Sequence, residues 1–102
     1  MTSQTDRIAR KGRRLAVDLP SRLLHSGTNE VAAAISNISF YGFRAASAAP
    51  VGRGDFISIA LPSVGLVRAK VAWTQTGTFG AMFLRPVDVR IFLQPSLVRT
   101  AG

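Results

Sequence analysis

Along residues 15–24, "LAVDLPSRLL", apolar and polar side chains alternate. Leu15, Val17, Leu19 and Leu23 fall on one face of an extended chain, and Ala16, Asp18 and Arg22 on the other. Successive strand side chains point to opposite faces, so this period of two predicts a half-buried strand. The composition of "HSGTNE" (25–30) marks a turn. "VAAAISNIS" (31–39) reads as a second strand, a weaker one because alanine is a poor strand former. After a bend at 37–42, "FYGFRAAS" (40–47) reads as the third, and "APVGRGD" (49–55) as a loop rich in Gly and Pro. "FISIALP" (56–62) is a fourth strand. "LVRAKVAWT" (66–74) is a fifth, with Val67, Ala69, Val71 and Trp73 inward and Arg68 and Lys70 outward. "QTGT" (75–78) has the composition of a hairpin turn, and "FGAMFL" (79–84) is a sixth strand.

Two patterns overlap in "RPVDVRIFLQP" (85–95). Pro86 at a first helical position, Asp88 in the first turn and Pro95 as a stop fit a short helix. The alternation of Val87, Val89, Ile91 and Leu93 fits a strand. The capping pattern favours the helix. Six short strands with turn signals between them predict an all-β fold, a small six-stranded antiparallel barrel or sandwich. Its core is expected to include Leu15, Val17, Leu19, Ile57, Val71 and Phe83, with Trp73 packed inside. Residues 1–12 are polar and aperiodic, which predicts a flexible basic arm. The barrel is expected over 13–86 and a helix or tail over 87–102.

Composition narrows the function. The chain has 102 residues and no cysteine, so thiolate chemistry and Cys-ligated zinc are excluded. One histidine, His25, cannot form a His-pair metal site, and its place beside a turn fits a solvated side chain. The five carboxylates Asp6, Asp18, Glu30, Asp55 and Asp88 are dispersed along the chain, whereas general acid–base catalysis needs positioned groups. The chain therefore reads as a binding module and not an enzyme. No apolar run approaches the roughly 18 residues of a membrane span. Basic residues at the N-terminus are not followed by the apolar segment of a secretory signal. A soluble, cytoplasmic protein without membrane insertion is expected.

Charge sharpens that picture. The formal net charge is +8, and eleven of the thirteen basic residues are arginine. Five basic residues crowd into positions 7–14, "RIARKGRR", directly ahead of the first strand. Like charges this close repel, so the cluster calls for an anionic partner. Downstream, "NISFYG" (37–42) places Asn37 and Ser39 at a bend, where such side chains commonly satisfy local backbone groups.

Taken together and in this order, "RKGRR" (10–14) and "NISFYG" resemble the signature of the PilZ domain family, bacterial receptors for cyclic di-GMP, whose motifs are RxxxR and [DN]xSxxG. "VRAKVAW", with Trp73, and "FGAMFL" are also similar to family strands, so the resemblance spans residues 7–84. Asn37 stands where the family more often has Asp, a swap its pattern allows. The resemblance implies a PilZ-like split barrel in which Arg10, Arg14, Asn37, Ser39 and Gly42, with Arg13 beside them, bind cyclic di-GMP. Arginine forks suit phosphate oxygens and guanine edges. Asn37 and Ser39 would meet a guanine edge, and Gly42 would let the chain bend or approach the ligand. It further implies that the arm orders on binding and relays a conformational switch to a downstream protein, with no cofactor. Two other readings compete: a basic domain binding nucleic acid, which the scattered Arg68, Lys70, Arg85, Arg90 and Arg99 fit poorly, and a PilZ-like adaptor that binds no ligand, against which the intact motifs weigh.

Overall fold

A computed structural model describes residues 14–25 and 30–93. Its strands are β1 (Leu15–His25), β2 (Val31–Ile38), β3 (Gly42–Ser47), β4 (Phe56–Leu61), β5 (Gly65–Gln75) and β6 (Thr78–Phe83). All neighbouring strands are antiparallel, and the order β1-β2-β3-β6-β5-β4, with β4 returning to β1, closes a barrel. The expected fold class is thus the observed one: all-β, six strands, antiparallel. Closure leaves the sheet no open edge, which would otherwise be a template for aggregation. The arm expected over 1–12 lies outside the described residues, as does everything after residue 93.

The inward positions of the alternating strands form a single core. Val17, Leu19, Leu23, Ile35, Ile57, Ile59, Val71 and Phe79 are all buried to within a few per cent. Of the core expected from sequence, Leu15 and Trp73 are half-buried; Leu15 packs against the cluster from the barrel rim. The plainness of β2 has a packing reason. Ala33, Ala45, Ala69 and Ala81 all point inward, and such small residues leave room in a narrow barrel for large ones. Phe43 occupies that room, edge-on to Phe79 at 5.8 Å between ring centroids and 5.4 Å from Phe83. Removing a ring such as Phe79 (Phe79→Ala) costs about 3–5 kcal/mol, because a filled core cannot collapse onto the cavity.

One rim of the barrel carries the start of β1, the β2–β3 bend, the β4–β5 turn and the end of β6. Beyond β6 the chain turns back under this rim as a short 3-10 helix, Val89–Leu93, whose Phe92 is fully buried. The helix expected from sequence is present as this single 3-10 turn, which begins at Val89, after Pro86 and Asp88; Pro95 lies outside the described residues. Asp88, ahead of its first residue, accepts a hydrogen bond from the Arg90 backbone N–H at 3.1 Å.

At the opposite rim, the loop from β3 to β4 crosses the barrel end, with Ala49 and Val51 packed against the core. His25 helps to hold that loop. It is the last residue of β1, and its Nε2 lies 2.9 Å from Asp55 Oδ2, which also accepts from the Gly52 backbone N–H. The solvated turn histidine expected from sequence is instead a tie between β1 and this loop. Alternation shows which way a side chain points and cannot show which loop folds across it. No helix among the described residues is long and apolar enough to cross a membrane.

Candidate functional site

Three strand irregularities bring the motif residues to one place on the barrel's outer face. The β1–β2 register slips between Ala16 and Leu19, the β2–β3 register between Ile35 and Asn37, and the β5–β6 register between Val71 and Trp73. Each gives one strand an extra residue against its neighbour, and on β2 beyond Ile35 and on β5 beyond Val71 the side chains change face. Asn37 consequently pairs across to the exposed Arg44 and Ala16, on the outside, while Ile35 and Ile38 stay in the core. Trp73 is turned outward in the same way and pairs with Gly80. The inward Trp73 expected from sequence is corrected here: uninterrupted alternation from Val67 through Val71 carries it inside, and the extra residue at Ala72 reverses it.

The result is an outward row across five strands: Ala16, Asn37, Arg44, Gly80 and Trp73. Gly80 makes this row possible. A Cβ built there would sit 2.2 Å from Trp73 Nε1, so the indole lies directly on the glycine backbone. The Arg44 guanidinium is 5.9 Å from the centroid of the same ring, within cation–π range.

The bend at residues 39–42 is built by Ser39. Its Oγ accepts from the backbone N–H groups of Tyr41 at 3.2 Å and Gly42 at 3.3 Å, and its own N–H donates to the Gly42 carbonyl at 2.8 Å. Ser39 is only 7% exposed, so these bonds satisfy groups that water does not reach. Gly42 is required for a different reason. A Cβ there would lie 2.3 Å from the Ala81 carbonyl oxygen, so only glycine lets β3 approach β6 at this point.

Arg14 joins the two sequence motifs. Its Nη1 donates to Asn37 Oδ1 at 3.2 Å, across 23 residues of sequence. The acceptor is a neutral amide, which orients the guanidinium without cancelling its charge; an aspartate in its place would form an ion pair. Arg14, Ser39, Tyr41 and Gly42 form one side of an open groove of about 260 Å³, and Trp73, Gly80 and Met82 the other. A second depression, lined by Arg53, Gly54 and Lys70, shares Ala72 and Met82 with it, so positive charge continues along the outer face.

Of the residues singled out from sequence, the structure brings Arg14, Asn37, Ser39 and Gly42 together. Arg10 and Arg13 lie outside the described residues. Trp73, Gly80 and Arg44 were missed as site residues. One signal was present: a glycine at an outward position of a strand, as in "FGAMF", marks a close approach by another group. The chain matches no family model, and no curated protein matches it; its likeness to the PilZ family rests on the motif residues.

Proposed function

We propose that this chain is a non-enzymatic receptor for cyclic di-GMP, in which Arg14 and Asn37 hold the ligand at the groove beside Trp73. The observation that carries the reading is the Arg14–Asn37 hydrogen bond, which joins the two motifs at the mouth of one groove. The ligand offers two phosphates and two guanines. Arg14 keeps its charge for a phosphate or for the O6/N7 edge of a guanine. The indole of Trp73 gives a purine a flat surface to stack on. Ser39 contributes chiefly by holding the bend in shape, since its hydroxyl is already engaged by the backbone.

The groove is smaller than most pockets for molecules of this size, so it supplies part of the binding surface. The rest falls to the basic segment just ahead of it. Arg10 is four residues before Arg14, so its Cα lies within about 14 Å of that of Arg14 in any chain conformation. Arg10 and Arg13 would close over the bound dinucleotide, and that ordering is the switch passed to a downstream protein.

The test is isothermal titration calorimetry of wild type, Arg14→Ala and Arg10→Ala with cyclic di-GMP and with GTP, at two salt concentrations. Expected is saturable binding of cyclic di-GMP by the wild type, little of GTP, and a loss of about tenfold or more in each variant. A wild type that does not bind, or variants that bind equally well, would overturn the receptor reading. Equal binding of any nucleotide with a steep fall in salt would instead establish the nucleic-acid reading.

A further inference from the structure

A depression larger than the motif groove lies elsewhere on the same rim. It is about 770 Å³ in volume, and its apolar lining comes from the β4–β5 turn (Val64), β5 (Val67) and the segment after β6 (Leu84, Pro86, Ile91). Leu84 is 50% exposed and Val64 40%, and the 60% exposed Leu66 stands beside Val64 on β5. Apolar surface thus runs past the edge of the depression, as it does where a polypeptide docks and not where a small molecule is enclosed.

Charge specifies the occupant. Arg68 and Arg85 line the depression, and among the described residues neither has a carboxylate within ion-pair distance. Asp88 also lines it, but is neutralised by its neighbour: Arg90 Nε and Nη2 donate to the two carboxylate oxygens at 2.9 and 2.7 Å. Those hydrogen bonds lower the Asp88 pKa from its ordinary 3.8 to about 2. The uncompensated charge is therefore positive. A second copy of the chain would set arginine against arginine, and residues 94–102 carry only Arg99 as a charged side chain, of the same sign.

We infer that this depression docks a segment of another protein that presents Leu, Ile or Phe side chains flanked by Asp or Glu. The apolar side chains fill the space between Val64, Val67, Leu84 and Ile91, and the carboxylates pair with Arg68 and Arg85. This surface goes beyond the receptor reading and does not depend on it. Its position suits an output face nonetheless, because its wall is tied to the motif bend: the Val87 N–H donates to the Phe40 carbonyl at 2.9 Å, and the Phe83 N–H to the Tyr41 carbonyl at 2.8 Å.

The test pans a phage-displayed library of random 16-residue peptides against the full chain without dinucleotide. Recovered peptides are then titrated by fluorescence anisotropy against wild type, Leu84→Asp and Arg85→Glu. The expected binders carry apolar residues flanked by acidic ones, and each variant weakens them about tenfold or more. Both altered side chains are largely exposed, and circular dichroism checks that the barrel is intact; Arg85→Glu changes no core contact. No enrichment, binders with basic or neutral flanks, or binders indifferent to both variants would overturn the proposal. Since no dinucleotide is present, a chain that fails to bind cyclic di-GMP still reports on this surface.

Discussion

The motif groove and the apolar depression beside it share a rim of the barrel and differ in almost everything else. The groove at the motif bend is small, positively charged and organised by backbone hydrogen bonds around Ser39. The depression below it is about three times larger and apolar, with two arginines in its lining. They meet along one stretch of chain: Met82 faces the groove and Leu84 the depression, with the inward Phe83 between them. The groove draws on residues that form a recognisable pattern in sequence, whereas the depression draws on residues that form none. Polar recognition needs particular atoms at particular distances, so it leaves a motif. An apolar surface needs only side chains of suitable size, which closure of the barrel brings together from distant elements.

The largest expected effect would destroy both regions at once. Gly42→Val places side-chain atoms where the Ala81 carbonyl already stands, so β3 and β6 must separate. A loss of about 3 kcal/mol or more is expected, measured by urea denaturation. A variant as stable as wild type would show that the strands yield more easily than their packing indicates.

Next in size is the separation of the two regions. Arg14→Ala is expected to lower cyclic di-GMP affinity about tenfold or more by calorimetry, while Leu84→Asp leaves that affinity unchanged and abolishes peptide docking. If Leu84→Asp weakens both, the regions are one site and the contrast fails.

Gly80→Ala acts on the groove alone. The added methyl cannot coexist with the indole, so Trp73 must swing away from β6. Its fluorescence is expected to shift to longer wavelength as water reaches the ring, with cyclic di-GMP binding weakened about threefold to tenfold, as loss of a stacking surface worth roughly 1 kcal/mol implies. An unchanged emission maximum would count against the indole resting on Gly80.

Ser39→Ala removes an acceptor used by two backbone N–H groups. A loss of about 1 kcal/mol in stability is expected, read as a small fall in the midpoint of thermal unfolding. The same bend carries the carbonyls that hold Phe83 and Val87, so peptide docking is expected to weaken slightly as well.

The smallest effect concerns pH. Arg90 depresses the Asp88 carboxyl in the folded state, so the stabilisation it gives is present above the ordinary carboxylate range and is lost as pH falls towards about 2. Between pH 3 and 5, where an ordinary carboxyl titrates, the carboxyl NMR shift of Asp88 is expected to change little. A titration midpoint near 3.8 would mean that the Arg90 contact is absent in solution.

Much of this architecture was legible beforehand. Alternation in 15–24 and 66–71, with Gly-containing turns between strands, marked six strands and most of the core. Where it misled, the cause was local. At Trp73 an inserted residue turns the side chain to the other face, and a period of two carries no memory of such an insertion. Whether a bulge forms depends on how both neighbouring strands pair, so it is settled only when the sheet closes.

By itself, then, the sequence determined which residues prefer extended chain, which of them seek the core, where the chain turns, and that a dense positive charge precedes the first strand. Those are consequences of side-chain polarity and backbone preference, both local properties. Tertiary structure alone decided that Arg14 reaches Asn37, that Trp73 lies on Gly80, that His25 holds Asp55, and that Val64 and Leu84 share one surface. Each of these joins residues from different elements, and a barrel places its elements only when all six strands have found their registers together.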